Sequence, residues 1–453
     1  MKKCISCGKI NRTKKTTFLI LSAVILFFLL NDSIFGFNYS NIFCEINMCN
    51  SFIGDPSKRH KLIEASFNYL GICLFGAIFH LLQKFVIRNK ANKSQKNNFK
   101  RMLIYYNSKG LSKMNIFYLL ILIIIWVVGE NLIIIFGELF KDLDFWFLEL
   151  IFLSVMLNFF FGVPIYKHHW FSMILNISLC SILKIINIVL SFTNNDKSEL
   201  YVQFPYFTAI GIIINIILIG IRSLYITGIK WFVDLKFISH TILLIIYGAV
   251  GAFLSIISCV IATYVECNKL YNNDVVGNIC FIQSKENNQI YYFDNFLIYF
   301  NNVKEKKFKI ILIIFGVITY FGYKYFYILT IKKYNPVYVL FCNPIIFFLE
   351  KIILMINNLI KQHSLFKIPE KNDNTNNTYT EITPHKKANF WIDVSNDIIV
   401  VIGFLIYLEV IVINCYGLNH DVKINIENRG IDNYKNIEFV DETGDFSLIV
   451  DDE

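Results

Sequence analysis

Residues Asn115–Leu139 read NIFYLLILIIIWVVGENLIIIFGEL, with Glu130 and Glu138 as the only charged residues. A helix needs about 20 predominantly apolar residues to cross a hydrocarbon core. A barrel strand would instead show about 10 residues of alternating polarity. The run is continuous, so it predicts a membrane-spanning helix. Glu130 lies too far from either end to reach an interface.

Similar runs lie on both sides: Thr17–Phe37, Ala65–Ile87, Phe145–Tyr166, Trp170–Phe192, Phe204–Ile226, Ser239–Val265, Phe308–Ile331, Pro336–Ile360 and Ile398–Tyr416. The chain is 55% hydrophobic and 17% charged, against about 25% charged in soluble domains. Lipid leaves helical bundles or closed barrels as the spanning options. The expected class is therefore an all-α integral membrane protein with about ten transmembrane helices.

Lys and Arg fall on alternate loops: Lys2–Lys15, Arg88–Lys113, Lys167, Arg222–Lys236 and Lys332–Lys333. Positive charge marks the cytosolic side, so both termini are expected there. The net charge of +9 sits at span ends and carries no nucleic-acid signature. On the opposite side fall sequons at Asn38 and Asn376, and the cysteine pairs Cys44/Cys49 and Cys267/Cys280, whose disulfide state stays open. The sequons fit either an endomembrane or the plasma membrane.

Ten spans divide into two fives, and five is odd. A second five-helix unit would therefore insert upside down, giving two inverted repeats. The halves fall at residues 1–193 and 204–417, with long outer loops at 266–307 and 361–391. Residues 418–453 form an acidic tail, expected to be cytosolic and disordered.

An ionisable residue at mid-depth is a functional candidate. Glu130, beside Asn131, is the foremost, as a proton or cation site or a substrate acceptor. Asn158, Tyr327 and Asn343 are further pathway candidates. Asn343 precedes Pro344, which frees a backbone carbonyl one turn back. Tyr320 and Tyr323 share the helix of Tyr327. Lys184 and Glu409 occupy similar depths in the fifth helix of each half and are expected as buried charges, in a structural or homodimer contact. Glu350 and Lys351 are adjacent and point about 100° apart. Cys4-Ile5-Ser6-Cys7 is a lone pair of thiols, too few ligands for zinc. No metal or cofactor is expected, and no catalytic motif is visible.

Two segments resemble a known family. One is Ile229-Lys230-Trp231-Phe232-Val233-Asp234-Leu235-Lys236-Phe237-Ile238-Ser239, followed by Tyr247-Gly248-Ala249-Val250-Gly251. The other is Thr330-Ile331-Lys332-Lys333-Tyr334-Asn335-Pro336-Val337. These resemble the joins between spans 6 and 7 and between spans 8 and 9 of the drug/metabolite transporter superfamily, nearest to orphan members of solute carrier family 35. The resemblance covers about Phe204–Ile360. It implies an inverted-repeat secondary transporter for a small metabolite, not an enzyme. The partners would be the lipid bilayer and a small-molecule substrate. A structural or sensory membrane protein is the alternative, and a membrane-embedded transferase a more distant one.

Overall fold

The computed structural model describes residues 5–7, 13–35, 60–90, 113–140, 146–193, 205–236, 238–265, 282–283, 291–305, 308–334, 336–362, 367–369, 379–381, 384–413 and 418. Cys44, Cys49, Cys267, Cys280, both sequons and residues 419–453 lie outside them.

Among the described residues, seven helical segments are long and apolar enough to cross a membrane: Leu62–Gln83, Met114–Leu132, Lys167–Leu190, Ala209–Asp234, His240–Tyr264, Ile313–Lys333 and Lys387–Tyr407. They carry large apolar side chains on their outer faces, such as Leu82, Ile185, Phe253 and Tyr264. In water such a surface would drive aggregation; in lipid it faces its own solvent. This is the architecture of a multi-pass membrane protein. The only β-structure among the described residues is three short antiparallel pairs.

The chain forms two compact units, and each draws on both ends of the sequence. The first comprises residues 19–144 and 217–332. Its helices are α1 (Thr13–Phe35), α2 (Lys61–Lys90), α3 (Lys113–Phe140), α6 (Pro205–Asp234), α7 (His240–Tyr264), α8 (Phe296–Glu305) and α9 (Phe308–Lys333). Helix α1 enters this unit at Leu19 and helix α6 at Ile217.

The most extensive helix contact is between α2 and α7. They run antiparallel: Ser66 meets Cys259 near one end, and His80 Nδ1 lies 2.9 Å from Thr241 Oγ1 near the other. Helix association in lipid depends on close backbone packing and interhelical hydrogen bonds rather than on the hydrophobic effect. Gly248 supplies the close approach. A Cβ there would stand 2.5 Å from Cys73 N and 2.8 Å from Tyr69 O. Gly251 makes room for the Tyr69 ring. The Tyr-Gly-Ala-Val-Gly segment thus works as a small-residue seam.

Asp294 closes one end of this unit. Its Oδ2 accepts the Leu62 and Ile63 amides at the start of α2, at 2.9 and 3.2 Å. Its Oδ1 lies 2.7 Å from His60 Nδ1. Asn295 Oδ1 then accepts the Leu297 and Ile298 amides and caps α8. The sequence suggests an interfacial helix over Tyr291–Phe300. The helix instead starts at Phe296 because Asn295 is its cap, and Tyr291–Tyr292 pair with Ile282–Gln283. Burial raises the Tyr299 phenol well above its ordinary pKa, and the nearby Glu64 and Asp294 carboxylates add to this, so the ring packs as a neutral group.

The second unit comprises residues 1–18, 145–216 and 333–453. It contains a 3₁₀ turn at Trp146–Leu148, then α4 (Glu149–Phe161), α5 (Lys167–Thr193), α10 (Val337–Gln362) and α11 (Pro384–Tyr407). Helix α11 packs along α5 and against α10, and α10 also meets α4. Ser172 Oγ donates to Gly403 O at 2.6 Å, and Asn187 Nδ2 to Asp393 Oδ1 at 3.4 Å, so α5 and α11 are antiparallel. The strand Ile5–Cys7 pairs with Ile411–Ile413, and Lys367–Pro369 pairs with Tyr379–Glu381.

Three boundaries differ from the sequence reading. Helix α4 stops at Phe161 because Gly162 turns left-handed (φ 64°) and Pro164 follows. Helix α11 starts at Pro384, inside the stretch assigned to an outer loop. It ends at Tyr407 rather than Tyr416. Val410 N donates to Leu405 O and Glu409 N to Ile406 O, which is a Schellman termination with Glu409 as its left-handed residue (φ 57°).

Candidate functional site

Five helices of the first unit place charged and aromatic side chains together: α2, α3, α6, α7 and α9. Glu130 on α3 is the centre. Its Oε1 lies 2.7 Å from Lys324 Nζ on α9. Its Oε2 accepts the Tyr69 hydroxyl at 2.7 Å and also the Tyr247 hydroxyl. Glu130 stands ten residues before the end of α3, and Lys324 nine before the end of α9. At 1.5 Å per residue that is about 14–15 Å along each helix, half of a hydrocarbon core about 30 Å thick.

Lys324 sits in a box of aromatic faces. Its Nζ is 5.2 Å from the ring centre of Tyr247, 5.4 Å from Tyr320, 5.5 Å from Tyr323 and 5.8 Å from Tyr327. All four lie within the reach of a cation–π contact. Helical spacing builds this box. Tyr320, Tyr323 and Tyr327 recur at i, i+3 and i+7 on α9, and so share the face that carries Lys324.

Trp126, one turn before Glu130 on α3, stacks on Tyr225 of α6 at 5.0 Å. Its buried Nε1 has no hydrogen-bond partner among the described residues, so it holds an unspent donor beside the site. Asn131 is buried, and its Oδ1 accepts Ser255 Oγ at 3.2 Å.

Electrostatics make the pair consequential. Lys324 and Glu130 side chains are 10% and 14% exposed. Removing one partner of a buried ion pair costs about 3–5 kcal/mol, because the other is left unneutralised. The two tyrosine hydroxyls hold the second carboxylate oxygen, so Glu130 has two contacts that do not involve Lys324.

Glu130, Asn131 and Tyr327 from the sequence reading therefore belong to one unit, with Glu130 and Tyr327 both on Lys324. The other candidates lie in the second unit. Asn158 is exposed and donates to Val163 O at 2.8 Å, helping to finish α4. Asn343 lies on α10 next to Pro344, and its side chain is outside the described residues. Lys184 is half-buried on α5. Glu409 has left the membrane helix and lies 3.4 Å from His168 Nε2. Among the described residues no ion pair joins Lys184 to Glu409.

Sequence reasoning missed Lys324, Tyr69 and Tyr247. The signal for Lys324 was available: it is a charge at mid-depth between tyrosines already singled out. It missed Asp397 as well, which is buried and bonded to Lys351 Nζ at 2.6 Å.

No protein-family model, curated protein or solved structure matches the chain.

Proposed function

We propose that the protein is a secondary transporter of the drug/metabolite type, working by alternating access, with Glu130 and Lys324 as its ion- and substrate-responsive centre. The observation that carries this reading is the 2.7 Å Glu130–Lys324 pair at mid-depth, boxed by tyrosines. Charges at that depth are expensive and mark translocation pathways.

The packing pattern supports an inverted repeat. Numbered as spans, α2 pairs with α7, α4 with α10, and α5 with α11, which are spans 2 and 7, 4 and 9, and 5 and 10. The Glu130–Lys324 bond joins spans 3 and 8. These partners lie five spans apart, as expected where two five-helix repeats face each other across a pseudo-two-fold axis; α3 also packs on α7, and α10 on α11. Three shorter apolar segments, Leu19–Leu30, Glu149–Phe161 and Val337–Ile346, bring the seven long ones to ten. The pairing of Ile5–Cys7, ahead of the first helix, with Ile411–Ile413, after the last, favours both ends on one face and an even number of crossings. The alternation of Lys and Arg makes that face cytosolic.

The test is flux into proteoliposomes under an imposed pH gradient, over a panel of labelled anionic, cationic and neutral metabolites. Gradient-driven uptake of a panel member that Glu130→Gln abolishes, with the variant still folded, supports the proposal. Uptake that survives Glu130→Gln unchanged refutes the role of the pair.

A further inference from the structure

We propose that the tyrosine box is a binding site for a small organic cation, and that Lys324 is a tethered stand-in for that ligand. Transport of the cation rests on the transporter reading above; its binding does not. The place held by the Lys324 ammonium has what a cation site needs. One carboxylate oxygen lies 2.7 Å away, and the rings of Tyr247, Tyr320, Tyr323 and Tyr327 surround it at 5.2–5.8 Å. Such cages bind alkylammonium groups. Glu130 does not depend on Lys324 for its position, since Tyr69 and Tyr247 hold its other oxygen. A ligand ammonium therefore finds the acceptor already oriented.

Charge balance excludes the simplest alternatives. An anion on Lys324 would strip Glu130 of its counter-ion at mid-depth, and a neutral ligand would separate the pair without replacing either charge. A cation replaces Lys324 like for like. The ligand ammonium and the Lys324 ammonium therefore compete for one carboxylate and one set of ring faces.

The test is isothermal titration of the full chain in nanodiscs with methylammonium and tetramethylammonium. The wild type is expected to bind weakly. Lys324→Met, freed of its internal competitor, is expected to bind at least about tenfold more tightly, since a competitor lowers apparent affinity by the fraction of sites it holds. The neutral pair Lys324→Met/Glu130→Gln leaves no buried charge to cause misfolding and is expected to lose binding. A Lys324→Met variant that binds no more tightly than wild type, or a double variant that binds as well as Lys324→Met, overturns the proposal. Binding of sodium glutamate in place of the cations overturns the ligand class and leaves the transporter reading standing. Cation binding without any flux in proteoliposomes does the reverse.

Discussion

Glu130 and Lys324, 194 residues apart in the chain, meet at 2.7 Å through helices α3 and α9. Each is the other's counter-ion, so their substitutions are coupled. Glu130→Gln or Lys324→Met alone should lower stability by about 3–5 kcal/mol, and the double variant should recover most of that loss. Thermal unfolding in detergent, followed by tryptophan fluorescence, gives the cycle. Additive single effects would show that the pair does not interact.

The seam between α2 and α7 predicts a steric defect. Gly248→Ala places a methyl group 2.5 Å from Cys73 N, against backbone that cannot turn aside. Overpacking of this kind costs about 1–3 kcal/mol. Gly251→Ala instead meets the Tyr69 ring and should disturb the hydroxyl that holds Glu130. A melting temperature unchanged in Gly248→Ala would show that the helices are further apart than described.

Asp294 fastens the start of α2 through two amides and His60. Asp294→Ala removes that cap, at about 0.5–2 kcal/mol, and leaves His60 without its carboxylate. Hydrogen exchange at the Leu62 and Ile63 amides should rise selectively, while the amides around Glu130 stay protected. Equal protection at Leu62 in variant and wild type would argue against the cap.

The strand pair at the ends of the chain gives a covalent test. Cys7 lies opposite Ile411 in the register, and directly paired residues have Cβ atoms about 4.5–5.5 Å apart. Ile411→Cys should therefore form an oxidant-induced disulfide with Cys7. A protease site placed in residues 91–112 then leaves two fragments that stay together on a non-reducing gel. Fragments that separate would contradict the pairing and the inference that both ends share one face.

Hydropathy made the membrane helices legible, because an apolar run about 20 residues long has no stable alternative in lipid. Depth alone brought out Glu130. The partners of Glu130 were hidden for a physical reason: their contacts join distant helices, and no local spacing encodes that. The bounds of α11 were misread because Asp393 and Asp397 make its first turns look like a polar loop. Both are spent on partners, Asn187 and Lys351, so their polarity is satisfied inside the bundle. Glu409 was misread in the opposite sense. The apolar residues around it extend the span on paper, while the left-handed turn at Glu409 ends the helix.

Alternating access to the tyrosine box is the central claim, and side-specific labelling tests it without knowledge of the substrate. In a chain otherwise free of cysteine, Tyr327→Cys places a thiol beside Lys324. A membrane-impermeant maleimide is applied to oriented vesicles from one face and then, separately, from the other. Modification from both faces is the predicted result; a thiol that reacts from neither face while the protein stays folded would contradict the claim and mark a dry, structural bundle.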